Sequence, residues 1–279
     1  MDTAAADPIS RSFGINWREF FRQLYRRSKV LTVTGWIHVA LLAGMLVVSP
    51  FDSRLVLGIN PWIKPIKFAL SITIYVWTVA WLVEYLRISS YTKRIITWGI
   101  SISMLTEIAC ITAQAARGTT SHYNVHTSFD AAIFATMGVM IALNSLLAVV
   151  LLILFFIRTY EVPRPYLWGI RSGFVIFLAA SVIGGVMIAH GSHAVGVADG
   201  GPGLPIVNWS TSGGDLRVAH FLGLHALQIL PIAGFLIGKH RKWVVGQKTA
   251  YVLALSGAYA LLIAALYYQA IHGAPLLRM

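Results

Sequence analysis

The sequence predicts an all-α fold: a polytopic membrane bundle of seven transmembrane helices, with the N-terminus cytoplasmic and the C-terminus extracytoplasmic. Three observations predict it. Charged residues make up 11% of the 279 positions, against roughly 25% in an ordinary soluble domain, while apolar types reach 57%. Seven apolar runs recur along the chain, each near the roughly 20 residues needed to cross hydrocarbon. Lysine and arginine collect in every second connection, which sets the orientation.

Residues 1–29 form a basic arm. Its segment WREFFRQLYRR spaces Trp17, Phe20, Phe21, Leu24 and Tyr25 helically, with Arg18, Arg22, Arg26 and Arg27 between them. That pattern predicts an amphipathic helix lying on the inner membrane surface. No small-residue cleavage site follows the first apolar run, so no secretory signal is expected. The transmembrane domain is expected over 30–273, with spans near 30–49, 67–86, 95–115, 130–157, 170–190, 217–238 and 249–271. A short outer tail, 274–279, closes the chain.

With the N-terminus inside, sixteen of the 22 lysines and arginines fall in the inner segments 1–29, 87–94, 158–171 and 239–248. The outer six are Arg54, Lys64, Lys67, Arg117, Arg217 and Arg278. This asymmetry, with a basic arm that carries no targeting signature, fits a bacterial inner (plasma) membrane. A net charge of +12 also raises nucleic acid as a partner. No basic stripe interleaved with stacking aromatics is present, so the expected partner is the lipid bilayer and not nucleic acid. The lone Cys110 rules out an internal disulfide.

Two outer connections stand out. Residues 50–66 hold three prolines and a tryptophan, a stiff entry to the second span. Residues 190–216 hold seven glycines and an apolar LPIVNW patch. Such a loop either folds back over the outer mouth as a lid or lies as plain surface. Asp215 is placed to cap the sixth span.

The candidate site begins in DLRVAHFLGLHALQILP, Asp215 to Pro231. Helical winding puts Arg217, His220, Leu224 and Gln228 on one face, with His225 beside it. Ionisable groups in a span normally turn inward and mark a site. Seven of the nine histidines, His122, His126, His190, His193, His220, His225 and His272, fall toward the outer side, and His38 near mid-membrane. The third span carries Glu107, Cys110, Gln114 and Arg117 on one face. Glu107 and His225 each lie eight residues from the outer end, about 12 Å deep at about 1.5 Å per residue. Equal depth predicts that they pair, as a catalytic acid and base or as a proton relay. Lys64, Lys67, Arg117 and Arg217 are expected to form a cationic rim suited to carboxylate or phosphate. The expected cavity opens outward and is lined by the first, third, fifth and sixth spans.

Three chemistries fit these residues. A b-type haem would take axial histidines from His38 and His225, or from His190 and His220, with the rim meeting its propionates. A divalent metal would take His122, His220 or His225, with Glu107 or Asp215 as base on bound water. A transporter or receptor for an anionic small molecule would use the rim for entry and Glu107 with His225 for protons. Redox function stands first among the three.

Several segments carry resemblances. HYNVH, HGSH and HFLGLH superficially resemble the histidine boxes of membrane desaturases and hydroxylases, without that family's doubled HxxHH. Ser121 with His122, Asp130 and the paired late histidines resemble the alkaline ceramidase group of zinc hydrolases, although HFLGLH departs from its HxxxH. That resemblance implies a zinc-dependent membrane hydrolase. NPWIKPIKFALS, ARGTTSHYN and STSGGDLRVAHFLGLHALQ are together similar to a family of bacterial multi-pass membrane proteins that brings no activity with it.

Overall fold

A computed structural model describes residues 16–278, so residues 1–15 of the basic arm and Met279 of the tail lie outside the described residues. Eight helices follow one another: α1 (Trp17–Arg27), α2 (Lys29–Val48), α3 (Ile63–Leu82), α4 (Ser90–Ala116), α5 (Ser128–Ile157), α6 (Arg164–His190), α7 (Leu216–Gly238) and α8 (Val245–Ile271). The last seven are long and apolar enough to cross a bilayer. This is a multi-pass membrane protein whose helices contact lipid.

Local chemistry sets the helix ends. Ser89 Oγ accepts from Thr92 N at 3.1 Å to start α4, and Thr127 Oγ1 accepts from Asp130 N at 3.1 Å to start α5. Asp215 caps α7 by accepting from Arg217 N at 3.0 Å, as its position suggests. At the far end of α6, Gly191 turns the chain in the left-handed region, with φ +70°.

Up-and-down connection gives the bundle two unlike ends. At the basic end lie α1 and the short links around 86–89, 158–163 and 239–244. The opposite, loop-rich end carries residues 52–62, 117–127, 191–215 and 272–278. Between them the core is close-packed: Leu31, Ile96, Ile100, Leu151, Phe155, Ile170 and Phe174 are fully buried. Many large apolar side chains, Leu46, Val139, Val182 and Leu261 among them, stay exposed on the outside of the bundle. In a bilayer that is their solvent, so they need no further partner.

The α6/α7 contact is the tightest. A Cβ added at Gly169 would lie 2.4 Å from the Leu230 carbonyl oxygen, and one at Gly234 would lie 2.6 Å from that of Pro165. Missing side chains let the two backbones touch, as small residues do between spanning helices. Pro231 lies inside α7 at this contact.

The spacing of the arm does form a helix, α1, and its aromatic side chains pack on the neighbouring helices. Phe20 stacks on Trp81, Phe21 meets Trp36 and Trp77, and Leu24 is fully buried. Arg27 donates from Nη1 to the Trp81 carbonyl at 2.9 Å and lies 4.1 Å over that ring. The aromatic face is satisfied by the ends of α2 and α3, because indole surfaces there offer it a larger dry contact than headgroups do.

Candidate functional site

The polar cluster sits beneath the loop-rich end, where the starts of α3 and α7, the second half of α4 and two loops meet. From α3 comes Lys64, whose Nζ donates to His122 Nδ1 at 3.0 Å. An ammonium can only donate, so Nδ1 accepts and the ring hydrogen sits on Nε2. That nitrogen faces Glu107 of α4, with Oε1 at 4.0 Å. Glu107 is 5% exposed, and its other oxygen, Oε2, has no hydrogen-bond partner. A buried carboxylate oxygen without a donor is costly, and such groups gather at functional sites.

Two loops complete the cluster. His122 is held by Ser121 Oγ at 3.1 Å from Nδ1 and is surrounded by the rings of Phe68, Tyr123 and Phe134. Tyr123 takes a left-handed backbone, φ 57°, which a non-glycine residue rarely adopts, and its ring meets His193 edge-on at 5.0 Å. His193 donates from Nδ1 to Asp199 Oδ2 at 3.0 Å, and the backbone amides of His193 and Ala194 reach the same carboxylate. From α7, His220 donates from Nδ1 to the Ala180 carbonyl at 2.7 Å. Lys64, His193 and His220 are all electrostatic neighbours of His122.

Burial and charge set the loop groups. Burial pushes His122 well below the ordinary histidine value, and the adjacent Lys64 pushes it further. It is neutral at pH 7. His193 is also lowered by burial, with Asp199 restoring part of the loss. Burial on its own raises Asp199, but the His193 ring and the two backbone amides outweigh it and hold the carboxylate ionised. Burial raises Tyr123 to about 12, so its phenol keeps its hydrogen.

The loop 191–215 covers this cluster. Two-residue strands, Ala194–Val195 and Gly214–Asp215, pair antiparallel and anchor its base. Lys67 Nζ donates to the Val207 carbonyl at 3.0 Å, and Arg217 Nη2 donates to that of Asn208. Asp215 binds the Arg217 guanidinium through both oxygens and also accepts from Ser210 N at 2.8 Å. Trp209 of the apolar patch meets Phe221 of α7. Through these contacts the loop packs against α3 and α7.

The structure therefore gathers Lys64, Glu107, His122 and His220, with Lys67 and Arg217 beside them. It does not gather the rest. His225 is not within ion-pair distance of Glu107: its Nδ1 donates to Gln228 Oε1 at 3.3 Å, and Gln228 donates to Thr78 of α3 at 3.0 Å. Equal depth brings two groups together only if their helices also turn them toward each other. His225 lies about 140° around α7 from His220, so it faces elsewhere. His38 is fully buried between α2 and α4, with Nδ1 donating to the Thr34 carbonyl at 2.7 Å and Nε2 3.4 Å from that of Met104. His190 lies exposed at the end of α6. Arg117 belongs to another network: it pairs with Asp130 at 2.5 Å and crosses the Phe129 ring at 4.7 Å. Gln114 Nε2 and Thr127 Oγ1 donate to the same Asp130 carboxylate. That network ties α4 to the first turn of α5 and is separate from the rim.

These placements bear on cofactors. His38 is hydrogen-bonded to backbone carbonyls and His225 to Gln228. Among the described residues, no group of three or more His, Cys, Asp or Glu side chains is placed to hold a metal ion. The Lys64 ammonium beside His122 also opposes a divalent cation there.

Asp199 and Tyr123 are not among the residues that the sequence singles out for the cluster. For Asp199 a signal exists: six residues after His193 in a glycine-rich loop, it is spaced to turn back on that ring. Tyr123 gives none. No family model matches the chain, and no curated protein or solved structure resembles it.

Proposed function

We propose that the loop-rich end is a proton-linked binding site for a small anion, a carboxylate or phosphate, serving its transport or sensing across the membrane. One observation carries this reading: Lys64 donates to the buried His122, whose other ring nitrogen faces a buried Glu107 with an unpartnered oxygen. Of the three cations there, Lys64 and Lys67 hold only neutral acceptors, while Arg217 is also paired with Asp215. Lys64 holds an imidazole nitrogen, Lys67 the Val207 carbonyl, and Arg217, besides Asp215, the Asn208 carbonyl. An anionic oxygen is a stronger acceptor than any of these neutral atoms, so it competes for the same donors. The Glu107 carboxylate, faced by the His122 Nε2–H, supplies a place for one proton, which offsets the charge of an arriving anion. The proton partner is thus His122, in place of His225.

The test is thermal unfolding of the purified protein with small mono- and dicarboxylates and inorganic phosphate, in wild type and Lys64→Met. Stabilisation by an anion, present in wild type and absent in the variant, supports the reading. So does anion uptake that acidifies the lumen of proteoliposomes. Equal shifts in both proteins, or no shift with any anion, would sink it. A reduced-minus-oxidised spectrum with a Soret band would instead restore haem, and one tightly held zinc per chain the hydrolase reading.

A further inference from the structure

At the basic end, away from the cluster above, a cavity of about 440 Å³ lies between α6 and α8. Arg164 and Arg171 of α6 stand on one wall, two helical turns apart, with Trp168 between them. Arg171 is fixed: its Nε donates to the Phe155 carbonyl at 3.0 Å, and the guanidinium lies over the Phe156 and Trp168 rings. Arg164 is exposed, and among the described residues it has no carboxylate partner and no side-chain hydrogen bond. Gly246 opens the other wall in the first turn of α8, where an added Cβ would meet nothing within 4 Å. The first-turn amides of a helix have no intrahelical acceptor, so this wall also favours an anion. Leu167, between the two arginines along α6, and Leu253 of α8 make the rest of the lining apolar.

We infer that this groove binds an anionic phospholipid, the phosphate between Arg164, Arg171 and the start of α8, and an acyl chain along the apolar floor. Two features select that ligand class. The cations sit at the end of spanning helices, at the level where headgroups lie, and basic pockets between spans there suit lipid phosphates. The cavity is also amphiphilic, with Arg164 and Arg171 set among apolar Leu167, Trp168 and Leu253, a lining that a soluble phosphate would use only in part. Trp168 lies at the junction, where an indole bridges the two environments.

The experiment compares wild type, Arg164→Ala and Gly246→Leu, delipidated in neutral detergent, by thermal unfolding and native mass spectrometry. Phosphatidylglycerol, phosphatidylcholine and inorganic phosphate are titrated separately. Phosphatidylglycerol is expected to stabilise wild type and to remain as a bound adduct. Loss of one charge-assisted contact in Arg164→Ala should weaken retention about tenfold. The leucine in Gly246→Leu fills open space, so lipid-free stability should hold while retention falls. Wild-type retention in Arg164→Ala overturns the proposal, whatever the leucine variant does. Equal stabilisation by phosphatidylcholine shows a site blind to charge, and an equal effect of inorganic phosphate shows an ion site; either overturns it too.

Discussion

Lys64 Nζ lies 3.0 Å from His122 Nδ1, so a lysine amine is hydrogen-bonded to a buried imidazole at the loop-rich end. The contact is favourable only while the ring is neutral. His122 therefore protonates well below its unfolded value near 6.5, driven by burial first and Lys64 second. The unfolded chain binds that proton more readily, so stability falls as pH drops below about 6.5 and keeps falling until the folded value is reached. Thermal unfolding in detergent between pH 7.5 and 4.5 should show this loss. Lys64→Met, which leaves burial but removes the charge, should make the loss smaller, and His122→Gln should remove this residue's share. A wild-type slope in His122→Gln would show that the acid sensitivity belongs elsewhere, with His193 the next group to examine.

Glu107 allows a sharper test of the proton link. Glu107→Gln keeps the shape of the side chain and removes its titration. If the carboxyl supplies the proton that accompanies an anion, binding should survive in this variant but lose its dependence on pH. Binding of inorganic phosphate or a dicarboxylate, measured at pH 5.5 and 7.5, reads this directly. Unchanged pH dependence in Glu107→Gln would remove the carboxyl from the mechanism.

The bundle was legible in the sequence because hydrocarbon selects so strongly for length and polarity. The expected span 217–238 differs from α7 by a single residue at its start. The second span was placed too late, since Pro61 and Pro65 argue for a turn where Pro65 in fact sits in the first turn of α3. The site was legible only in part, for a geometric reason. Distance from the membrane surface can be counted along a helix, but the direction in which each helix presents a face cannot. Depth alone paired Glu107 with His225, whereas rotation of α7 turns His225 to Gln228 and leaves Glu107 facing His122. Arg117 shows the same limit. Its carboxylate partner, Asp130, is 13 residues away across a loop, and nothing in the local pattern announces the pairing.

The Asp130 network predicts an effect on stability separate from function. Asp130 accepts from Arg117, Gln114 and Thr127 while its own amide is capped by Thr127. Asp130→Ala leaves three donors without their acceptor, one on α4 and one at its C-cap. Arg117→Ala removes one donor, whose side chain is 41% exposed. Unfolding temperatures should therefore fall in both, and further in Asp130→Ala. Anion binding at saturating ligand should persist in both variants below their melting points. Loss of binding in folded Arg117→Ala would put this arginine back among the site cations.

Two glycines of α6 should respond in opposite directions to the same change. At Gly169 a new methyl group would sit 2.4 Å from the Leu230 carbonyl oxygen, a backbone atom in a packed helix, so α6 and α7 must separate. Overpacking of this kind costs about 1–3 kcal/mol. At Gly185 the added carbon would meet nothing within 4 Å, and alanine in mid-helix gains about 0.5–1 kcal/mol over glycine. Gly169→Ala should thus unfold at lower temperature than wild type and Gly185→Ala at equal or higher temperature. Because the chemical change is identical, helix propensity cannot explain a difference in sign; only the proximity of α7 can. Equal effects at the two positions would mean that α6 and α7 are not in backbone contact at Gly169.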